Sequence, residues 1–348
     1  MTRPAGSVAR SPSSSRSPAI NPGRPGTGGP GRTALVLGCG GTLGAAWMIA
    51  ALHALSEQTG FDPREADVLL GTSAGAELVT MLAGGIGVDE LVDMQRGRAR
   101  DPRLREHIAS TPPGRPPLPR LPLLNPGLLR SRTGLAGLTG IAPTGRGDAG
   151  WLQRLAEGFE VGAWLPHPAA WIVAYDVRAG ERVLFGAPGS PIATVGEALR
   201  ASWATPGWMP PVPVGDRIFV DGGMGSTASV DLISPADADL VYVLAPMASE
   251  HGIRVPGRGG GIEYRLIRRP MSTQLHAEIA TARERGTTVV PILPTPVDLA
   301  GLGPHFMNPS RREAAFESSM ATAPETVRAA LAGNADGTPR SSTAPRGG

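Results

Sequence analysis

A chain of 348 residues with 41% hydrophobic and 18% charged side chains can bury a sizeable α/β core, and a formal net charge of only +3 gives no case for nucleic-acid binding. One cysteine excludes an internal disulfide, consistent with a reducing, cytoplasmic setting. All 33 basic residues are arginine, which reads as coding bias rather than function.

Residues 1–32 are rich in Pro, Ser, Gly and Arg and cannot bury a core, so a disordered tail is expected there. They lack the apolar stretch of a usual signal peptide. From residue 33 the chain alternates strand and helix, the mark of a mostly parallel sheet with helices on both faces. Strands are predicted over 34–38, 68–71, 170–174, 182–185, 218–220, 240–244 and 288–292. Helices are predicted over 43–57, 74–82, 88–95, 149–158, 194–201, 271–285 and 310–332. One α/β domain over 33–332 is the result, with a second disordered tail over 333–348. The longest apolar stretch, 44–55, is too short to span a membrane, which takes ~20 residues.

The first strand runs into Gly38-Cys39-Gly40-Gly41-Thr42-Leu43-Gly44 and then a helix. Consecutive glycines leave backbone N–H groups sterically open, and a helix N-terminus adds partial positive charge, so this loop suits an anionic oxygen. A dinucleotide fingerprint would need a third glycine where Leu43 stands. Cys39 reads either as a thiol activated by the helix N-terminus or as a small buried filler.

Gly71-Thr72-Ser73-Ala74-Gly75 follows the second strand and precedes a helix, which describes a serine held at a sharp strand-to-helix turn. In a chain with 48 glycines the flanking strand and helix carry that signal. Further on, Ile218-Phe219-Val220-Asp221-Gly222-Gly223 ends an apolar strand on an aspartate that can face the serine. Asp176 is a rival acid, read as an exposed hairpin position.

These three segments, with Ala201-Ser202-Trp203-Ala204-Thr205-Pro206-Gly207-Trp208-Met209-Pro210-Pro211-Val212 ahead of the aspartate, resemble the patatin-like phospholipase family over roughly residues 33–300. The resemblance implies a three-layer patatin-like α/β fold and a Ser-Asp dyad of Ser73 and Asp221. It also implies an oxyanion hole over Cys39, Gly40, Gly41 and Thr42, with motif glycines Gly38, Gly44, Gly71, Gly75, Gly222 and Gly223. A serine needs a base, and an ionised aspartate at hydrogen-bond distance can serve. Cys39 stands at the family's first loop glycine and Leu43 at its basic position, which removes a positive charge near the substrate. No metal or organic cofactor is expected. The implied partner is a phospholipid, lysophospholipid or other acyl ester; peripheral membrane contact and oligomeric state are left open. A carboxylesterase, thioesterase or acyltransferase would use the same dyad, and a lipid-binding protein could keep the fold without turnover. A histidine base is the mechanistic alternative: His276, on a predicted helix, and His305, in a loop, both follow Asp221. His53 reads as a packed or surface residue, and Arg96 to Arg105 as a solvated surface.

Residues 97–147 break the strand–helix alternation, and their prolines forbid a regular helix over 112–124. This Pro/Arg-rich stretch reads as either a lid-like insertion, with 118–129 touching acyl chain or lipid, or a flexible segment. Trp203 and Trp208 read as acyl-pocket lining or core.

Overall fold

Side-chain alternation along the strands decides the layering of this protein. A computed structural model describes residues 31–110, 120–123 and 143–335. Most of both expected tails, and 111–119 with 124–142 of the expected insertion, lie outside the described residues.

On β1 (Thr33–Leu37), Leu35 and Leu37 face one cluster of core residues while Ala34 and Val36 face another. Both faces of the sheet are therefore buried, as expected of parallel strands that read as unbroken apolar runs. β1 pairs in parallel with β2 (Val68–Thr72) and with β9 (Leu240–Leu244), and β9 pairs in parallel with β10 (Thr288–Ile292). β2 pairs in parallel with β5 (Ala170–Asp176), beyond which pairing turns antiparallel through β6 (Glu181–Phe185), β7 (Val212–Val214) and β8 (Arg217–Asp221). The sheet order is β10-β9-β1-β2-β5-β8-β7, with β6 also on β5. The fold is the expected mostly parallel α/β sandwich.

One face carries α1 (Gly41–Thr59), α2 (Ala74–Ala83), α3 (Val88–Gln95), α5 (Gly150–Phe159), α6 (Val195–Ser202) and α10 (Arg312–Ala335), each with residues in the larger core cluster. α1 is apolar on nearly every side, and it is buried accordingly: Leu43, Ala46, Trp47, Met48, Ile49 and Leu52 are at most 1% exposed. The opposite face is covered by α8 (Arg269–Glu284), through Leu275, Ile279 and Ala282.

Three expectations change. Residues within the 97–147 stretch form α4 (Pro102–Ala109), started by a proline at N1 and by Asp101, whose side chain accepts from Arg103 N–H. A short antiparallel pair, β3 (Arg120–Leu123) with β4 (Pro143–Thr144), adds to it. Ahead of α8, α7 (Arg258–Glu263) and a π-helical turn (Tyr264–Arg268) were not expected, because three successive glycines hide the helical period; nor was α9 (Pro296–Leu302), which a Thr295/Asp298 capping box starts. Residues 333–335 continue α10 and are not tail. No helix among the described residues is long and apolar enough to cross a membrane.

Candidate active site

The position of the site follows from β5. Residues Ala174 to Asp176 pair with both β6 and β8, so those two strands lie on opposite edges of β5. Ile172 and Val173 pair with both β6 and β2, so β2 and β8 share an edge. They run towards each other along it: Thr72 is opposite Val173 and Asp221 is opposite Ala174. Two strands meeting end to end bring Ser73, one residue past Thr72, beside Asp221.

Ser73 has φ 55° and ψ −116°, a strained conformation for a residue with a Cβ, of a kind that typically costs ~1–3 kcal/mol. Its surroundings hold it there. Its N–H donates to Ser202 Oγ at 2.8 Å, and its carbonyl accepts from Ala76 N–H at 2.9 Å. The flanking glycines are a packing requirement: a Cβ on Gly75 would collide with Leu37 O at the end of β1, and one on Gly71 with the Gly75 backbone.

Asp221 is 4% exposed and well bonded. Oδ1 accepts from Gly223 N–H at 2.8 Å and Oδ2 from Thr205 Oγ1 at 2.9 Å. The Ser73 hydroxyl also favours the charged form of this carboxylate. Burial pushes the carboxyl up to about 6, against the pull of the Gly223 N–H, Thr205 and Ser73 hydroxyls. It is thus mostly ionised at neutral pH and far more basic than a solvated aspartate. Residues 202–205 hold both partners, Ser202 the serine and Thr205 the aspartate, while Ala204 O accepts from Asp221 N–H at 3.1 Å. Beyond Gly222, where a Cβ would crowd Val173 O, the chain is anchored by Glu278, which accepts from Ser226 Oγ at 2.9 Å and Val230 N–H at 3.1 Å.

The glycine loop contributes less than its sequence suggests. Gly38 N–H is committed to Leu244 O and Cys39 N–H to Thr227 O, each at 2.8 Å, so Cys39 supplies no oxyanion donor. Thr42 faces a different small cavity, with Glu77, Gln95 and Trp151. Gly40 and Gly41 remain: both line the space at Ser73, and their N–H groups meet no acceptor among the described residues. Gly41 has φ +57°, and a Cβ there would strike Met307 Sδ. Gly44 N–H returns to Gly40 O at 2.9 Å, closing the first turn of α1. Leu43 is fully buried in the core, so its side chain does not border the site. The Cys39 thiol is pushed up to about 12 by burial and by the Asp221 charge, which leaves it an inert filler.

Above Ser73 opens a cavity of about 180 Å³. For scale, an apolar cavity of ~150 Å³ takes up benzene. Its polar edge is Gly40, Gly41, Ser73, Asp221 and Thr205; its walls are Met224, Met247, Met271, Met307, Ile267 and Phe306. The methionines are scattered along the chain and left no periodic signal in the sequence. No histidine lines the cavity; His276 and His305 are both exposed, and His53 is partly buried on α1 beside Glu57 at 3.6 Å. Trp203 is buried edge-on against Trp151 and belongs to the core, and Trp208 stacks edge-on with His305 outside the lining. Among the described residues no group of three or more His, Cys, Asp or Glu side chains could hold a metal ion.

Asp176 corrects the expectation of an exposed hairpin position. It does sit at the β5–β6 turn, but it is 1% exposed. Burial opposes its charge, yet the Ala179 N–H, the Arg217 guanidinium and the Arg178 N–H outweigh that and hold its carboxyl below the usual range. It ties a turn together and does not border the cavity. Sequence reasoning also passed over His107, buried on α4 and 2.9 Å from Glu77 on α2, one turn beyond Ser73.

The family model for patatin-like phospholipases matches residues 35–233, more than half of the chain. The chain belongs to the patatin-like phospholipase family. Ser73, Asp221 and the glycine loop all fall inside the matched patatin-like segment, whereas Met247, Ile267, Met271, Phe306 and Met307 lie beyond it. No curated protein matches the chain. Among solved structures, the crystal structure of VipD from Legionella pneumophila is similar at 14% identity and a TM-score of 0.39, over 85% of this chain and 66% of that one. This patatin-like chain spans just under two thirds of that protein's length.

Proposed function

We propose that this protein is a serine acyl hydrolase that cleaves fatty-acyl esters of phospholipids or lysophospholipids with Ser73 as nucleophile and Asp221 as base. The observation that carries the reading is the end-to-end meeting of β2 and β8 on β5, beneath an apolar cavity. Ser73 Oγ attacks the ester carbonyl carbon as Asp221 takes the hydroxyl proton. The oxyanion is met by the Gly40 and Gly41 N–H groups, where one donor is typically worth roughly 100- to 1,000-fold in rate. Collapse breaks the ester C–O bond, and the leaving alkoxide takes the proton from Asp221, giving acyl-Ser73. Asp221 then deprotonates water, which releases the fatty acid and restores the serine. The methionine-lined wall supports an acyl chain as the occupant of the cavity, since thioethers are apolar and adaptable.

The test is turnover of a short p-nitrophenyl ester and of phosphatidylcholine by wild type and Ser73→Ala. Turnover of both substrates, falling by about 10,000-fold or more in the variant, is expected for a nucleophile. A folded wild type inert towards both would refute the hydrolase.

A further inference from the structure

The helical rod that closes the cavity also presents a surface. α7, the π-helical turn and α8 run without a break from Arg258 to Glu284. Glu263 and Arg268, five residues apart and both buried, form an ion pair of 2.9 Å, and Arg268 Nη1 donates to Pro246 O and Ala248 O. That anchor turns Ile267 and Met271 into the cavity. It turns the opposite side out: Ile262 is 64% exposed and Leu266, one turn on, is 55% exposed. Arg265 and Arg269, also one turn apart, are exposed beside them, with no ion-pair partner among the described residues. They are the exposed ionisable side chains described on 259–269, since Glu263 is buried. The preceding loop exposes Arg254 and His251 against Glu250.

The same surface continues around the cavity mouth. Gly259 abuts Pro304, whose neighbours His305 and Phe306 are respectively a partner of the half-buried Trp208 and part of the cavity wall. Single exposed leucines and isoleucines are ordinary. A pair aligned one turn apart and flanked by exposed arginines, with a half-buried tryptophan beside His305, is the composition of an interfacial helix face.

We propose that residues 259–269 dock the protein on an anionic phospholipid bilayer. Ile262 and Leu266 enter the headgroup layer, while Arg265 and Arg269 meet lipid phosphates. A second copy of the chain is a poorer occupant, because a two-fold interface would set one copy's arginines against the same arginines of the other. The placement gains its purpose from the reading of the cavity as an acyl site: the bilayer would lie against the opening that Ile267 and Met271 line.

The test is co-sedimentation of the full chain with vesicles of phosphatidylcholine and phosphatidylglycerol, or of phosphatidylcholine alone. Wild type is expected to favour the anionic vesicles. Since each arginine at such a surface is worth roughly fivefold in affinity, Arg265→Gln with Arg269→Gln should weaken that binding about 25-fold. Ile262→Ser with Leu266→Ser should weaken binding to both vesicle types, and turnover of a short soluble ester should persist in every variant, showing that each is folded. Unaltered vesicle binding in both double variants overturns the proposal, as does a wild type that ignores anionic vesicles. A change of oligomeric state in the Ile262/Leu266 variant without loss of vesicle binding would assign the face to self-association instead. Vesicle binding by a chain that turns over no ester would uphold docking and reject the hydrolase, so the two readings fail separately.

Discussion

The two halves of the cavity are built on different principles. The polar half comes from residues 39–223 and is held by hydrogen bonds of 2.8–2.9 Å to Ser73 N–H and the Asp221 carboxylate, on elements whose register leaves little choice of geometry. The apolar half comes mostly from residues 247–307 and consists of thioethers, one isoleucine and one phenylalanine. Reacting groups must be placed to a fraction of an ångström, and strands and a glycine loop do that. A wall that only excludes water and accepts methylenes needs shape, and flexible methionines supply it. Disturbance of the first half should therefore alter rate and pH dependence, and disturbance of the second should alter which substrate is preferred.

After Ser73 itself, the largest effect is expected at Asp221. Asp221→Asn removes the proposed base and should lower kcat/KM by about 100- to 10,000-fold. The same variant should be more stable at neutral pH. In the unfolded chain the carboxyl titrates near its ordinary value, whereas in the folded protein it is raised to about 6. The folded state thus holds the proton more tightly, and keeping the charge costs stability that is absent below the unfolded pKa and full above the folded one. Chemical denaturation should show Asp221→Asn gaining about 2–3 kcal/mol at pH 8, with the gain disappearing towards pH 4. A loss of stability at pH 8 would contradict the buried-carboxylate picture.

A smaller change is expected at Thr205. Its hydroxyl favours the Asp221 anion, so Thr205→Val should raise the aspartate pKa further. In wild type, kcat/KM should fall below about pH 6 as the base is protonated. The variant's rising limb should lie at higher pH, with a rate at high pH only severalfold lower. An unmoved limb would mean that Asp221 is not the titrating base. Smallest of all, Met271→Ala should alter the relative preference for long over short p-nitrophenyl esters by roughly tenfold or less, the worth of a few pocket contacts. A uniform loss across all chain lengths would assign Met271 to the polar half's work.

What was legible in the sequence follows the same division. The glycine loop, Ser73 and Asp221 are local motifs at strand ends, and local motifs survive in sequence. Which loop amides stay open was not legible, since the Cys39 N–H is taken by Thr227, 188 residues away. Asp176 looked exposed because its hairpin is a surface feature, but Arg217, from another strand, buries and pairs it. The methionine wall and the 258–268 segment escaped notice for a related reason. Their roles depend on tertiary placement, and glycines 259–261 erase the period that would have announced a helix.

The central claim, a nucleophilic serine activated by an aspartate, is tested most directly by labelling with a fluorophosphonate probe and locating the adduct by mass spectrometry. An adduct on Ser73 in wild type, formed far more slowly in Asp221→Asn, is the predicted result. No adduct on the folded wild type, or an adduct on any other residue, would contradict it.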